Sequence, residues 1–278
     1  MKIIKKFSFF VMVVLIAAML FASGCSQNVP EKDTIEETES EVTEVVTEEV
    51  TEEANEAVTE GLGETEGENG YNPVINPDDF VEVIDNPYFP LTPGTTFVYE
   101  GEDEDETIRD EVFVTNKTRT VMGVNTIVVR DRVFEDEELV EETFDWYAQD
   151  KDGNVWYFGE DSRDYEDGEV VSTAGSWEAG VDGAQPGILM KGDPQVGDTY
   201  RQEYYAGEAE DMAEVLSLNE LVTVAYGSFE DCLKTKEWTP LEPGIEENKY
   251  YAAGTGPVME IAVKGGSERL ELVEIITE

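Results

Sequence analysis

The stretch "FDWYAQDKDGNVWYFGED", residues 144–161, decides the fold class, because two aromatic-rich runs flank a short polar turn. Lys151, Asp152 and Gly153 fit a three-residue hairpin loop in which a type I turn is followed by a glycine in the left-handed region. Asp150 then takes the first turn position, where its carboxylate can accept a backbone N–H. The stretch therefore predicts two antiparallel strands joined by a tight loop.

The predicted register, with residue 150 opposite residue 154, sorts the large side chains of this hairpin by face. Because side chains alternate along a strand, one face should carry Phe144, Trp146, Trp156 and Phe158 and the other Tyr147, Val155 and Tyr157. A two-residue Asp-Gly turn would shift the register by one and mix the two sets. The first face favours a hydrophobic core. Its alternative is a platform for a small apolar or glycan ligand, with Trp146, Trp156 and Phe158 as the candidate contacts.

The acidic turn also has partial similarity to a calcium loop of the form D-x-[DN]-x-[DN]-G-x5-E. With Asp150 at position 1, Asp152 and Asn154 fall on positions 3 and 5, but Val155 takes the glycine position and Asp161 replaces the final glutamate. The other register, with Asp152 and Gly153 at positions 5 and 6, fails as well. We therefore expect no metal site and no cofactor, and the only candidate metal ligands in this loop are Asp150, Asp152 and Asn154.

The composition of this hairpin extends over the whole C-terminal part of the chain. Short runs rich in Val, Thr, Tyr, Phe and Trp alternate with turn signals such as Asp167-Gly168, Asp182-Gly183 and Gly265-Gly266. No apolar helical stripe occurs there, and the best helical candidate is a short turn around "GEAEDMAEVL", residues 207–216. Residues 71–278 are therefore predicted to form a single all-β, mainly antiparallel domain with a curved sheet, a half-barrel or a barrel-like sandwich.

The N-terminus has the pattern of an export signal. Lys2, Lys5 and Lys6 precede the apolar run from Phe7 to Ala22, which is 16 residues long and shorter than the roughly 20 residues that a membrane-spanning helix needs. The following "ASGC", residues 22–25, resembles the lipobox of bacterial lipoproteins. This resemblance implies a signal peptide over residues 1–24 and a lipid anchor on Cys25, with more than one acyl chain for stable attachment.

The segment after the cysteine, residues 25–70, is predicted to be a disordered acidic tether. From residue 30 to residue 70 it holds 16 acidic residues, one base (Lys32) and no aromatic residue, so it cannot build a core. Small apolar residues recur every four positions within it, usually followed by Thr-Glu. The pattern indicates a low-complexity spacer that lifts the globular domain from the membrane, and a partner-binding helix is the alternative.

The net charge, the absence of histidine and the small number of cysteines exclude several functions. The net charge is -47, which repels phosphates, so we expect no nucleic-acid partner. The chain has no histidine, which removes Ser-His and Cys-His catalytic pairs and histidine-ligated zinc. With Cys25 lipidated, Cys232 alone remains and no internal disulfide can form; we expect a buried strand cysteine, with a reactive thiol as the alternative.

Four motifs in order, "YFPLTPGTTFVYEG", "GNVWYFGE", "YGSFEDCLKT" and "KYYAAGTGPV", resemble those of a bacterial family of exported, β-rich lipoproteins of uncharacterised function. The resemblance spans residues 86–275 and implies a single β-rich domain, but no catalytic residue. The chain is therefore expected to be an extracytoplasmic lipoprotein on the cell membrane, or on the outer membrane of a diderm, acting as a monomeric, non-enzymatic binding or envelope-associated module. No protein partner is indicated.

Two other functions stay open from sequence. Acidic pairs such as Glu141-Glu142 and Asp78-Asp79 allow a carboxylate-based hydrolase acting on envelope glycans. The high negative charge, with a dense acidic cluster at residues 100–106, allows calcium-dependent adhesion or stabilisation. The cluster itself is expected to be a solvated loop.

Overall fold

The computed structural model describes residues 70–103 and 106–278. The predicted signal peptide (residues 1–24), Cys25 and all of the tether except Gly70 lie outside these residues. Within them the structure contains one three-residue 3-10 helix, Pro77–Asp79, and no α-helix. No helix in the described ranges is long and apolar enough to cross a membrane.

Sixteen strands make up almost all of the regular structure, which confirms the predicted all-β class. The strands are β1 (Phe80–Val81), β2 (Thr95–Asp103), β3 (Glu106–Val121), β4 (Val124–Glu135), β5 (Glu138–Asp150), β6 (Val155–Glu166), β7 (Glu169–Ser172), β8 (Trp177–Glu178), β9 (Gln185–Met190), β10 (Thr199–Arg201), β11 (Glu203–Tyr204), β12 (Met212–Thr223), β13 (Ser228–Trp238), β14 (Glu246–Ala252), β15 (Gly256–Lys264) and β16 (Arg269–Thr277).

Thirteen of these strands form a continuous antiparallel sheet, in the order β10-β12-β13-β14-β15-β16-β2-β3-β4-β5-β6-β9-β11. Strand β1 pairs with β5, and β7 and β8 pair with β6. The two ends of the order, β10 and β11, are consecutive in the chain and are separated only by Gln202. The sheet therefore curls into a nearly closed, barrel-like form, with the chain itself crossing from one edge to the other.

Two glycines permit close backbone approaches in this curled sheet. A Cβ on Gly187 of β9 would lie 2.2 Å from the backbone carbon of Gln202, so the closure needs a residue without a side chain there. Gly159 in β6 has a φ of +126° and lies where the β5–β6 register shifts, between the Asp145↔Glu160 and Tyr147↔Tyr157 pairs. Such a bulge bends the strand and increases its twist.

The interior is partly apolar and partly acidic. Buried valines, leucines and aromatic rings from most of the strands form one cluster. Inside it, Tyr147 and Tyr157 stack at 4.9 Å between ring centroids, and Phe89, from the segment before β2, contacts Tyr147 edge-on at 5.5 Å. The acidic part consists of buried carboxyl side chains from several strands and their connections.

Some strand predictions differ from the structure. The β-prone run of residues 212–218 and the first three residues of the next such run, 221–227, lie in the single long strand β12 instead of two separate strands. This strand also takes up residues 212–216 of the predicted turn, because pairing with β13 and β10 supplies its hydrogen bonds. Strand β9 was missed, since its "QPGILM" sequence begins with turn-like residues. Strand β2 continues to Asp103, so the acidic cluster is largely strand rather than loop.

Candidate functional site

The hairpin of residues 144–161 has the predicted register near its turn. Ala148 pairs with Trp156, and the N–H of Gly153 donates to the carbonyl oxygen of Asp150 at 3.1 Å. Gly153 has a φ of +85°, as the three-residue loop requires.

The carboxylate of Asp150 organises this turn. It accepts hydrogen bonds from the backbone N–H groups of Asp152 and Asn154, the side-chain amide of Asn154 and Nε1 of Trp156, all at 2.8–2.9 Å. The amide oxygen of Asn154 accepts from the N–H of Gly192 at 2.9 Å. Two of the three candidate metal ligands thus serve the loop itself. Across residues 70–103 and 106–278, no group of three or more Asp, Glu or Cys side chains is placed to hold a metal ion.

The candidate ligand platform is occupied by the protein's own side chains. Phe158 is fully buried and Trp146 is 5% exposed, whereas Trp156 is half-buried. Phe80 of β1 contacts Phe158 at 5.5 Å and Trp156 at 6.4 Å between ring centroids. The guanidinium of Arg119 lies 4.0 Å from the ring centroid of Trp146. These rings therefore pack as a core between the sheet and the segment that covers it.

The unexpected feature of the interior is a set of acidic side chains, which we call the interior acid layer. Its members lie at inward positions of the sheet or its connections and are at most 8% exposed; they are Asp110, Asp131, Glu141, Asp145, Glu160, Asp164, Glu203, Asp211, Glu237, Glu247, Glu260 and Glu268. Among the described residues Lys249 is the one buried basic side chain. Burial raises the pKa of eight of these carboxyls, which therefore favour the protonated, uncharged form; they are Asp110, Asp131, Asp145, Glu160, Glu203, Asp211, Glu260 and Glu268.

Burial controls the ionisation of this layer. It raises the pKa of Asp110 from 3.8 to about 7, and those of Asp211 and Glu268 to about 8. Burial, followed by the nearby Asp110, also holds the pKa of Asp131 well above its ordinary value. The carboxyls of Asp110 and Asp131 interact with one another, and no other described group donates a hydrogen bond to either. A proton on Asp131 therefore serves both groups.

Lys249 neutralises one part of the acid layer. Its Nζ lies 3.2 Å from Glu237 and 3.4 Å from Glu260. Burial alone lowers the pKa of this lysine, but the two glutamates outweigh that effect and raise it. Glu237 also accepts hydrogen bonds from Thr235 at 2.7 Å and from Tyr251 at 2.8 Å. In this cluster the positive charge of Lys249 balances part of the negative charge of the interior acid layer.

The facing carboxyls of the acid layer are closed off from solvent. Asp110 and Asp131 are the pair that most resembles a catalytic couple, but they are 0% and 2% exposed. A glycosidase needs its two carboxyls across a cleft that admits the substrate. In the described structure this pair offers a shared proton but no surface for a substrate.

The outer surface of β3 to β6 carries a regular pattern of arginines and aromatic rings. Cross-strand pairing places Arg130 between Phe113 and Phe144, and it places Arg132 opposite Glu142 and Glu142 opposite Arg163. The guanidinium carbons lie 5.5 Å from a ring centroid in three pairs; these pairs are Arg130 with Phe113, Arg132 with Phe134, and Arg163 with Phe144. Five of the seven arginines of the chain lie on β3, β4 and β6, in a protein of strongly negative net charge.

A groove lies at one end of this surface, which we call the outer groove. It has a volume of about 580 Å³ and is lined by Glu100, Gly101, Thr107, Ile108, Arg109, Glu111, Phe134 and Glu137. This volume is within the range of small-molecule sites. Outward positions of β2, β3 and β4 supply most of its polar and aromatic side chains, because they alternate with the buried Tyr99, Asp110 and Val133. Glu137 comes from the turn between β4 and β5.

The polar groups of the groove are held in place before any ligand arrives. Arg109 donates from Nη1 to Glu100 at 2.6 Å and from Nε to Glu111 at 3.1 Å, while Arg132 pairs with the other oxygen of Glu111. The ring of Phe134, half-buried, forms the apolar wall. The groove therefore offers fixed donors, fixed acceptors and one aromatic surface, with three glutamates against one arginine in its lining.

Sequence reasoning found neither the acid layer nor the groove. A signal for the layer exists, since Glu141, Thr143, Asp145 and Tyr147 share one strand face, but polar residues at alternate positions normally indicate the solvent side. The groove had no local signal, because its lining comes from three strands and from the turn between β4 and β5.

Comparisons with known proteins find weak similarity to two solved structures. No model of a known protein family matches the chain, and no curated protein matches its sequence. A solved structure from Bacteroides fragilis, described as an exported protein with a YmcC-like fold, is 16% identical, covers 68% of this chain and 99% of its own, and has a TM-score of 0.39. A Parabacteroides distasonis protein described as a lipoprotein is 11% identical, with coverage of 68% and 98% and a TM-score of 0.38. At these values neither structure carries a functional assignment for this chain.

Proposed function

We propose that this protein is a lipid-anchored, extracytoplasmic binding module without enzymatic activity, and that the outer groove binds a hydroxyl-rich unit of an envelope glycan. The observation that carries the binding proposal is the preorganised set of Arg109, Glu100, Glu111 and Phe134 in a groove of about 580 Å³. Donors and acceptors fixed by one another lose little conformational entropy on binding.

The charge of the groove narrows the ligand class. Its lining holds Glu100, Glu111 and Glu137 against Arg109, so an acidic group placed inside it would be repelled. Carboxylates accept hydrogen bonds from hydroxyls, the arginine donates to ring and hydroxyl oxygens, and Phe134 supplies a surface for the apolar face of a sugar. A neutral or amino-bearing sugar satisfies all three groups.

The binding proposal is tested by isothermal titration of the full chain in detergent micelles. Chitotetraose and its deacetylated form serve as probes, and tetragalacturonate serves as the acidic control. We expect binding of one of the first two and at least a tenfold weakening in Arg109→Ala. Arg119→Ala is the matched control, because Arg119 is also an ion-paired arginine of β3 and contacts no groove residue in the structure. Absence of binding to both chitotetraose and its deacetylated form, tighter binding of tetragalacturonate than of either, or equal weakening in both variants would overturn the proposal.

The anchor is supported by the lipobox-like "ASGC" at residues 22–25. Globomycin, which blocks lipoprotein signal cleavage, should leave a larger precursor in the membrane fraction, and Cys25→Ser should abolish incorporation of labelled palmitate. Unchanged processing of Cys25→Ser would remove the anchor from the proposal.

The absence of enzymatic activity is supported by the missing histidine and by the burial of the Asp110–Asp131 pair. Incubation of the protein with the oligosaccharide that it binds should release no new reducing ends. Release that disappears in Asp131→Asn would favour the hydrolase alternative. The calcium alternative is tested by thermal unfolding in calcium chloride and in sodium chloride of equal ionic strength, where we expect equal shifts.

A further inference from the structure

Arg130 is the exceptional arginine of the outer surface. It lies at an outward position of β4, directly opposite Phe113 of β3 and Phe144 of β5. Its guanidinium carbon is 5.5 Å from the ring centroid of Phe113. Arg130 thus contacts the half-buried ring of Phe113 on one side and lies next to the half-buried Phe144 on the other.

The other four arginines of this surface already have carboxylate partners. Arg109 pairs with Glu100 and Glu111, and the remaining pairs are Arg119 with Glu178, Arg132 with Glu111 and Arg163 with Asp161. Arg130 forms no ion pair with any carboxylate of the described residues, and its buried Nε–H finds no acceptor among them. This is notable in a chain with 65 acidic residues and 18 basic ones, because acceptors are abundant everywhere else.

We propose that Arg130, flanked by Phe113 and Phe144, binds an anionic group, a carboxylate or a phosphate, carried by the same glycan whose uncharged unit lies in the outer groove. This inference rests on the proposed function of the groove. A guanidinium presents a planar fork of donors that matches both kinds of oxyanion, and aromatic neighbours keep the fork oriented.

The strand geometry sets the spacing of the two subsites. Phe134 of the groove lies four residues beyond Arg130 along β4, which corresponds to about 13 Å at the usual rise per residue. Arg132 and Glu111 lie between them and neutralise each other. A ligand that fills both subsites is therefore a chain molecule, with its acidic group several bonds from the unit in the groove.

The two subsites have opposite charge preferences, which fixes the direction of the ligand. The groove lining has an excess of glutamates and disfavours the acidic end, whereas Arg130 attracts it. The same ligand bound in the reverse direction would bury one unpaired cation and oppose like charges. Arg130 is thus a specificity determinant rather than a general source of affinity.

The experiment compares oligosaccharides of equal length that differ only at one end. The probes are cellotetraose, cellotetraose oxidised to a terminal carboxylate, and cellotetraose with a terminal phosphate, titrated into the full chain in detergent micelles. Inorganic phosphate alone measures the free anion. We expect the two acidic probes to bind wild type at least tenfold more tightly than the neutral probe, and free phosphate to bind far more weakly than the phosphorylated probe.

Two variants of equal charge separate the inference from a general charge effect. Arg130→Gln should abolish the preference for the acidic probes and leave binding of neutral cellotetraose unchanged. Arg163→Gln is the matched control on the same surface, because Arg163 also lies 5.5 Å from a phenyl ring but is already paired with Asp161; it should keep the preference. Arg130→Lys, which keeps the charge and loses the fork, should retain part of it and guards against a folding defect in the glutamine variant.

The outcomes distinguish the two proposals. Equal binding of neutral and acidic probes by wild type, or a preference that survives Arg130→Gln, overturns the Arg130 subsite while the groove proposal stands. Failure of all four probes to bind overturns the Arg130 subsite, whereas the groove proposal is decided by the titrations with chitotetraose and its deacetylated form. Loss of the preference in Arg163→Gln as strongly as in Arg130→Gln shows a general charge effect and also overturns the subsite.

Discussion

Replacing Asp110 with asparagine should stabilise the protein at pH 8 and leave its stability at pH 4 nearly unchanged. Asp110 is fully buried beneath the sheet, and its carboxyl has only the carboxyl of Asp131 as a partner. Asparagine has almost the same shape, carries no charge, and its amide oxygen can accept the proton that Asp131 holds. The substitution therefore removes the cost of ionising this site and keeps its packing.

The magnitude follows from the pKa of Asp110, which rises from 3.8 to about 7 on folding. Because the folded state holds the proton more tightly than the unfolded state, this stability contribution is fully present below pH 3.8. It is lost as the pH rises to about 7 and stays lost above that value. Each pKa unit corresponds to about 1.4 kcal/mol, so the loss amounts to up to about 4 kcal/mol at pH 8. Asp110→Asn should recover that amount there.

Groups on every neighbouring element contribute to this behaviour. Asp131 of β4, Glu141 of β5, Glu260 of β15 and the connecting residue Glu268 all face Asp110, and each favours its protonated form or shares its proton. Lys249 of β14 acts in the opposite sense on Asp131. The protein as a whole should therefore be more stable at pH 5 than at pH 8.

Urea unfolding of the full chain in detergent micelles, followed by tryptophan fluorescence between pH 4 and pH 8.5, measures the effect. The surface charge also weakens stability at high pH, but it is common to wild type and variant. Asp152→Asn, an exposed residue of the β5–β6 loop, controls for the change in net charge. If Asp110→Asn and wild type lose stability in parallel from pH 4 to pH 8.5, the reasoning about the buried carboxyl is refuted.

Three further predictions concern single positions. Lys249→Met leaves its two glutamate partners without a cation, so the free energy of unfolding should fall by about 3–5 kcal/mol at pH 8 and by less at pH 5; equal losses at both pH values would contradict this. Asp150→Ala removes an acceptor of four hydrogen bonds and should cost about 2 kcal/mol, whereas Asp152→Ala should change the stability by less than about 0.5 kcal/mol. Gly187→Ala should lower the melting temperature and raise hydrogen exchange in β9 and β11, because its Cβ would overlap backbone at the sheet closure; Gly244→Ala, with open space around it, is the control and should have no such effect.

The hairpin around Asp150 shows how much of the fold was readable from sequence. Its loop length, the glycine at residue 153 and the register next to the turn follow from local rules of turn geometry, and the structure has all three. The bulge at Gly159 was not predicted, because it depends on a third strand, β8, whose backbone passes within 2.3 Å of the position that a Cβ would take. The conformational preferences of neighbouring residues do not predict such a close approach by a strand that is distant in the sequence.

The candidate sites were harder to predict from the sequence than the fold was. Trp146, Trp156 and Phe158 were correctly grouped as large side chains of one hairpin, but only the path of the segment with Phe80 decided that they are covered. Arg109 and Arg130 gave no signal in the sequence, since the role of Arg109 depends on Glu100, nine residues away, and the role of Arg130 depends on the lack of a partner.

By itself the sequence determined the all-β class, the turn chemistry, the absence of histidine chemistry and the expectation of a lipid anchor with an acidic spacer, because these depend on composition and short-range order. The tertiary structure decided which face of each strand is inside. Closure of the sheet through Gln202 turned alternating acids such as Asp110, Asp131 and Asp145 inward, while the arginines beside them remained outside. Side chains alternate along a strand with a period of two residues, but this alternation does not say which of the two faces is buried. Only the curvature of the assembled sheet places the polar face toward solvent or toward the interior.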